Sequence, residues 1–412
     1  MELGPIFRAL INHKSRFWLI TIEIGLTLAV IVNCVNMIVD QRQTMNRPTG
    51  LDLENTLVVR TEPYAPDLRE ESAVEQLYDE DLRQLRAMPG VIAATGISAV
   101  PLSGGGSASG RKNAESDDES ITAPYFVMGD QALDTLGVKL VEGRGFLESD
   151  FPEKIEEDQA YENEQVSSRN VILTQELADK LFPDGGALGQ RISDRDGEES
   201  EIVVGIIERM HCSWPQSTAA ERVLLFPGRP AGTRRSTYLV RVEPGAVEEL
   251  YTAVEEKMLD THGGRLVSVE TLAEVKKDQY SDDVAFSQLL GGLSALLLLV
   301  TSMGIIGVTS FSVTQRTREI GTRRALGATR WAILRYFLVE NWVVTTTGLT
   351  LGLILTLGLN FLLANLSNVP TVGATQVLAA MIGLWMVALL AALVPALRGM
   401  TVSPVIATRS AY

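Results

Sequence analysis

The sequence predicts a membrane α-helical protein with four transmembrane helices and a large exported α+β domain of two lobes, built on a strand–helix–strand repeat with an inserted subdomain. Three observations carry this. Four apolar runs, Phe17–Val39, Leu289–Phe311, Trp342–Leu363 and Val377–Leu397, each exceed 20 residues, enough at 1.5 Å per residue to cross about 30 Å of hydrocarbon. Charge is divided along the chain: residues 41–283 hold 25 Lys/Arg against 46 Asp/Glu, a net of −21, whereas the remainder holds 11 against 5, a net of +6. Two octapeptides, Thr56–Pro63 (TLVVRTEP) and Thr237–Pro244 (TYLVRVEP), share Thr, Val, Arg, Glu and Pro at the same places, and a similar pattern follows each.

At the amino end, residues 1–16 place Ile6, Phe7, Leu10 and Ile11 at helical spacing with Arg8, Lys14 and Arg16 outside that set, which predicts a short cytoplasmic helix lying in the membrane interface. Residues 17–39 form the first span, and because no small-residue cleavage site follows it, the expectation is an uncleaved anchor. Three polar residues lie in it. Glu23 is a costly intramembrane acid less than two turns from the cytoplasmic end, where it snorkels or pairs with a base. Asn33 and Asn36, near the other end, suit bonds between helices better than substrate binding. A structural role is favoured for all three.

Residues 40–288 are read as the exported domain. Its first lobe takes in about 52–97 and 237–272: a helical stretch, Ala73–Met88 or Ala246–Thr261, follows each octapeptide, and a strand, Val91–Ile97 or Leu266–Val269, follows each helix. Two α+β half-domains packed as a pair are therefore expected. The inserted lobe, about 98–236, has strand-like runs at Val138–Val141, Val171–Thr174, Ile202–Ile207 and Val223–Phe226, and a solvated charged loop at Glu153–Ser168. Gly105–Lys112 (GGSASGRK) looks like a phosphate loop but fails in detail, because Lys112 is one place late and Asn113 stands where a magnesium-binding Ser or Thr belongs. A mobile Gly/Ser loop is the expectation there.

The remaining spans are residues 289–311, a segment 336–365 and residues 377–397. Between the second and third, residues 312–335 carry Arg316, Arg318, Arg323, Arg324, Arg330 and Arg335 against one acid, Glu319. The loop 366–376 has no basic residue, whereas the tail 398–412 has Arg398 and Arg409. The positive-inside bias thus puts both termini and the central loop in the cytoplasm and the large domain outside.

Several functions are disfavoured. The acidic domain argues against nucleic acid as a partner, and no Ser, His and Asp grouping of recognisable spacing supports catalysis. His211 and Cys212 are adjacent, but with three His and two Cys in the whole chain they lack the further ligands a metal needs. The second and fourth spans hold no ionisable residue and Glu340 lies at the edge of the third, unlike a secondary transporter's midplane site. No catalytic or metal residue is assigned.

The central loop carries the specific signal. Arginines alone would mark any cytoplasmic loop, but Ile320, Ala325, Leu326, Gly321 and Gly327 are not required of one. A short amphipathic helix presenting Leu326 and Ala328 to a partner groove, framed by Arg323 and Arg324 for carboxylates, explains the mixture. The run Gln315–Thr329, followed by an apolar helix, closely resembles the signature of the FtsX-like permeases of ABC transporters, especially their MacB-like branch. Tyr125–Asp150 with Glu142-Gly143-Arg144-Gly145-Phe146, Leu181-Phe182-Pro183, Gly189-Gln190, Val203–Ile206 and the ending Pro395-Ala396 to Ser403-Pro404-Val405 extend the resemblance over nearly the whole chain. MacB carries a fused ATPase ahead of its first span, and the sequence shows none.

The resemblance implies a non-catalytic permease subunit in a bacterial inner membrane, forming a homodimer or a heterodimer with a similar chain. It binds no cofactor of its own; ATP and magnesium sit on a separate ATPase dimer. A periplasmic membrane-fusion protein, an outer-membrane channel and the lipid bilayer complete the implied partners. The coupling set is Arg316, Arg318, Glu319, Ile320, Gly321, Arg323, Arg324, Leu326, Gly327, Ala328 and Thr329, on a helix expected over Thr317–Thr329. ATP-driven motion passed to the periplasmic domain would drive export or efflux. The alternatives within the family are regulation of a periplasmic cell-wall hydrolase and lipoprotein extraction.

Overall fold

The computed structural model describes residues 14–116, 119–151, 170–196, 200–232, 234–367 and 371–403. The expected interfacial helix, the charged loop 153–168 and Arg409 lie wholly or almost wholly outside these. The chain divides into two units, Met1–Asn46 with Asp282–Tyr412, and Arg47–Ser281.

The first unit is helical. Four helices long and apolar enough to span a bilayer are α1 (Lys14–Met45), α7 (Ser281–Gln315), α9 (Arg330–Ser367) and α10 (Ala374–Met400). They run on past the expected spans because backbone bonding continues into good helix formers such as Gln41, Arg42 and Gln43. A shorter helix, α8 (Thr317–Ala325), lies between α7 and α9.

Polar pairs and small residues set the helix packing, as expected where lipid removes the hydrophobic drive between helices. Thr27 and Thr301 share a hydrogen bond of 2.8 Å, the Ser287 hydroxyl bonds Gln41, and Glu23 lies against Gly304. Asn33 bonds the Ala29 carbonyl within its own helix and accepts from Asn360 of α9 at 3.4 Å. Asn36 is buried.

Helices α1 and α9 meet on glycine. Gly348 and Gly352, four apart, face Thr21, Ile24 and Leu28, and a Cβ on either would stand 2.8–2.9 Å from Ile24 or Leu28. Gly348→Val or Gly352→Val is therefore expected to cost about 1–3 kcal/mol by overpacking. The check is thermal unfolding in detergent with Gly383→Val as control, since Gly383 has nothing within 4 Å of its Cβ position. Equal melting of all three variants would refute the glycine seam.

The second unit holds the exported α+β domain. Its strands and helices in chain order are β1 (Thr56–Pro63), α2 (Glu71–Arg86), β2 (Val91–Gly96), β3 (Ser107–Asn113), β4 (Ile121–Met128), α3 (Ala132–Leu136), β5 (Leu140–Gly143), β6 (Asn170–Thr174), α4 (Gln175–Leu181), β7 (Arg191–Asp194), β8 (Ser200–Ile207), β9 (Leu224–Pro227), β10 (Ser236–Val242), α5 (Val247–Thr261), β11 (Arg265–Thr271) and α6 (Leu272–Gln279).

The repeat units do not pack as two half-domains. They interleave into one antiparallel sheet of order β11-β1-β10-β2, a split βαβ arrangement in which each unit's two strands are separated by a strand of the other. Val58 pairs with Leu239, its own equivalent in the repeat, so the two octapeptides are related about that pair. Interleaving lets α2 and α5 share one face. Tyr78, Leu82 and Leu85 with Leu250, Val254 and Met258, at helical spacing, pack on Leu57, Val59, Tyr238 and Val240. The alternate residues Val58 and Leu239 face the other core, with Ile97, Phe126 and Leu225.

Beneath those helices sits a buried ion pair. The Arg265 guanidinium donates to both Asp81 oxygens at 2.8 and 2.7 Å and to the Met258 carbonyl at 2.5 Å, and the Tyr238 hydroxyl donates to Asp81 at 3.0 Å. Both charged side chains are wholly buried.

The inserted lobe is a seven-stranded sheet of order β5-β8-β6-β9-β4-β3-β7, closed by a further β7–β8 pairing. Gly105–Lys112 is not a mobile loop throughout: Ser107–Asn113 is strand β3, held between β4 and β7. Its polar sequence has no strand pattern, and pairing on both edges supplies the bonds that order it.

The Glu142–Phe146 run has a local purpose. Gly143 takes φ +77°, and a Cβ there would stand 2.3 Å from the Val204 carbonyl; one on Gly205 would stand 2.3 Å from the Arg144 carbonyl. This close approach aims the Arg144 guanidinium at Asp150, which also accepts from the Leu147 N–H at 2.8 Å and from Asn170 at 2.7 Å. Burial works to raise the Asp150 carboxyl, but these bonds outweigh it and hold it below the usual carboxylate range. A depressed folded value means that the bound carboxylate's stabilisation is present above about pH 4 and is lost as pH falls below it. Asp150→Asn is expected to cost about 2 kcal/mol at pH 7 and to flatten that acid limb, as followed by urea unfolding between pH 3 and 7. An acid limb as steep in the variant as in the native chain would remove Asp150 from the account.

Candidate functional site

The segment between α7 and α9 is a helix, a stop and a restart. Helix α8 ends at Ala325, four residues short of the expected Thr329, because Gly327 adopts φ +97°. The Ala328 N–H bonds the Arg323 carbonyl at 3.0 Å and the Gly327 N–H bonds that of Arg324 at 3.1 Å, the paired closure of a Schellman motif. Thr329 then caps α9, its hydroxyl accepting from the Ala332 N–H at 3.2 Å.

Packing decides which residues this element shows. Ile320 is buried with Val313 of α7, Ile333, Leu334 and Phe337 of α9, and Ala396 of α10. Gly321 is buried beside it. Arg316 reaches Glu340 at 3.0 Å and the Tyr336 hydroxyl at 3.1 Å, while the Arg324 guanidinium bonds the Val402 carbonyl. Of the expected coupling set, Arg316, Ile320, Gly321 and Arg324 thus tie the element to α7, α9 and α10, and Ala328 is half-buried.

The outward residues are Arg318, Glu319, Arg323, Leu326, Gly327 and Thr329. Arg323 lies over the Tyr336 ring at 5.2 Å, an arrangement that holds a cation without neutralising it. Leu326 is 84% exposed, more than any other large apolar residue among those described. The element therefore presents one bare leucine within a basic surround on a braced support.

The other residues singled out from sequence are not brought to this element. In the exported domain His211 is buried 3.5 Å from Glu221; burial pushes its imidazole down, with Glu221 pulling the other way. Cys34 and Cys212 are buried and free, and among the described residues no group of three His, Cys, Asp or Glu has metal-binding geometry. A polar cleft of about 870 Å³ lies between the two sheets of the domain, and its arginines are already paired, Arg60 with Glu270 and Arg235 with Glu62. Sequence reasoning passed over the Tyr336 and Glu340 partners of the loop arginines; their spacing from Arg316, 20 and 24 residues on, offers no local signal.

Residues 19–257 match the MacB-like periplasmic core domain family and residues 291–404 match the FtsX-like permease C-terminal family. Similar chains include the uncharacterized ABC transporter permease YvrN of Bacillus subtilis (strain 168), 27% identical over 429 residues covering 98% of each chain. The macrolide export ATP-binding/permease protein MacB of Chromobacterium violaceum is 28% identical over 251 residues, 58% of this chain and 36% of that one. The chain thus spans nearly all of the first relative and little more than a third of the second. Among solved structures, the periplasmic region of MacB from Actinobacillus actinomycetemcomitans aligns with 57% of this chain and 97% of its own, at 17% identity and a TM-score of 0.36.

Proposed function

This chain belongs to the ABC transporter permeases with a MacB-like periplasmic core domain and an FtsX-like permease region, and from that premise we propose that it transmits ATP-driven motion from a separate ATPase subunit to its exported domain. The outward face of α8 and its turn is the docking element on the cytoplasmic side. Leu326 enters an apolar groove of the ATPase, and Arg318 and Arg323 meet carboxylates around it. ATP and magnesium belong to that subunit, and this chain acts without a catalytic centre of its own.

The observation that supports this reading best is Leu326, bare beyond the apolar spans on an element that Ile320, Arg316 and Arg324 tie to its neighbours. A loop needed only for topology has no use for such a residue, whereas an interface core wants an apolar anchor with a polar rim. Force applied there reaches α7, α9 and α10 through Ile320, Arg316 and Arg324. Two copies of the chain, or one with a similar partner, work with two ATPases, and the output is export or efflux through periplasmic and outer-membrane partners. Hydrolase regulation and lipoprotein extraction are the competing outputs of the same motion.

The test is co-expression with a candidate ABC ATPase subunit from the same genome. The native chain should retain it through membrane purification and stimulate ATP hydrolysis, and Leu326→Glu should do neither while still inserting. Full retention and stimulation by the variant would end the docking assignment. Proteins captured with the complex separate the outputs: an adaptor and channel support efflux, a hydrolase regulation, a lipoprotein extraction.

A further inference from the structure

A groove of about 660 Å³ runs between α9 and α10 on the face of the membrane unit, and Trp331, Arg335, Leu338, Val339, Trp342 and Leu389 form its mouth and walls. It starts beside Thr329 at the loop end of α9 and descends into the span, which runs Arg330–Leu363. Trp331 is 71% exposed and Trp342 is 45% exposed.

The charge on this face is of one sign. The only acid on either helix is Glu340, which is committed to Arg316 at 3.0 Å. Arg335 is exposed and has no ion-pair partner among the described residues, and Arg330 stands one residue before Trp331, also exposed. From Arg335 to Trp342 is seven residues, about 10 Å along the helix. A cation at the mouth, aromatic rings at two levels and an aliphatic floor between them is the order in which a phospholipid presents phosphate, glycerol and acyl chain.

We propose that this groove is a binding site for one anionic phospholipid, its phosphate held by Arg335 and an acyl chain laid along Leu338, Val339 and Leu389 as far as Trp342. A guanidinium takes phosphate oxygens in a two-point bond, and no carboxylate in the groove competes. A soluble partner accounts for Arg335 and Trp331 but not for an apolar strip that continues into the span. A zwitterionic lipid brings an ammonium group to a site that already holds uncompensated positive charge.

The experiment is native mass spectrometry of the detergent-purified full chain, titrated with phosphatidylglycerol or phosphatidylcholine of identical acyl chains. Phosphatidylglycerol should bind preferentially, and Arg335→Ala should weaken that preference roughly five-fold, the effect of one cation beside an anionic headgroup. Arg335→Lys should restore part of it. Arg318→Ala, which removes an exposed arginine of α8 outside the groove, should leave it unchanged. Equal binding of the two lipids, or an Arg335→Ala chain with the native preference, overturns the proposal. So does an equal loss with Arg318→Ala, which would mean diffuse charge, and so does displacement of the bound lipid by inorganic phosphate, which would mean a site for free anions. Loss of ATPase retention or of dimer in Arg335→Ala with lipid preference intact would assign the groove to protein and overturn it too.

Discussion

A chain carrying Leu326→Glu is expected to lose its partner ATPase by at least about a hundred-fold in affinity. Two contributions add. Burying a leucine side chain is worth about 2 kcal/mol, all of which the substitution forgoes. The new carboxylate must then enter the groove uncompensated, or meet the acids that Arg318 and Arg323 serve, at a further cost of about 1–3 kcal/mol. Together these exceed the roughly 2.7 kcal/mol that a hundred-fold change requires. Leu326 itself is exposed, so the fold loses nothing by the change. Ile320→Ala is the informative contrast, because Ile320 is buried and its truncation should loosen α8 and lower thermal stability as well as coupling. The measurement is ATPase activity in proteoliposomes against titrated ATPase subunit. A half-maximal concentration unchanged in Leu326→Glu would place the docking surface elsewhere.

Arg265→Leu is expected to be the most damaging single change in the exported domain. The native guanidinium serves Asp81 with two bonds and the Met258 carbonyl with one, in a site with no solvent access. Removing it leaves the Asp81 charge buried with only the Tyr238 hydroxyl beside it, a penalty of about 3–5 kcal/mol. In a unit of this size that corresponds to a fall of roughly 10 °C in melting temperature. Asp81→Leu combined with Arg265→Leu should recover a good part of the loss, since the stranded charge is then gone. Thermal unfolding of the four chains in the cycle provides the check. A double variant as unstable as the sum of the singles would mean that the pair does not act as a unit.

The elements that sequence revealed share one property, a signal confined to neighbouring residues. Runs such as Leu289–Phe311 are mostly apolar and hold no charged residue, so the spans needed no knowledge of their neighbours. The octapeptides and the helices behind them were legible because each carries its own period. The loop was legible only in part: its arginines and Leu326 stood out, but the helix expected over Thr317–Thr329 stops at Ala325, where Gly327 takes φ +97°.

What failed had its cause elsewhere in the chain. Strand β3 reads Ser-Ala-Ser-Gly-Arg-Lys-Asn and is a strand only because β4 and β7 flank it. The octapeptides could be seen to repeat, but not to pair with each other about Val58 and Leu239. Arg265 and Asp81 are 184 positions apart. The same holds for the site: arginines and a leucine were visible, whereas the division between those that brace α8 and those that face outward was not.

By itself, then, the sequence determined four membrane helices, an exported α+β domain between the first two, and a basic loop with a leucine among its arginines. Hydrophobic periodicity and charge bias act over a few residues, and these features need nothing more. Only the tertiary structure decided that the repeat interleaves, that Gly348 and Gly352 seat α1 against α9, and that Ile320 turns inward while Leu326 stays bare. Those outcomes depend on which distant surfaces meet, and burial against a partner many residues away leaves no trace in a local pattern.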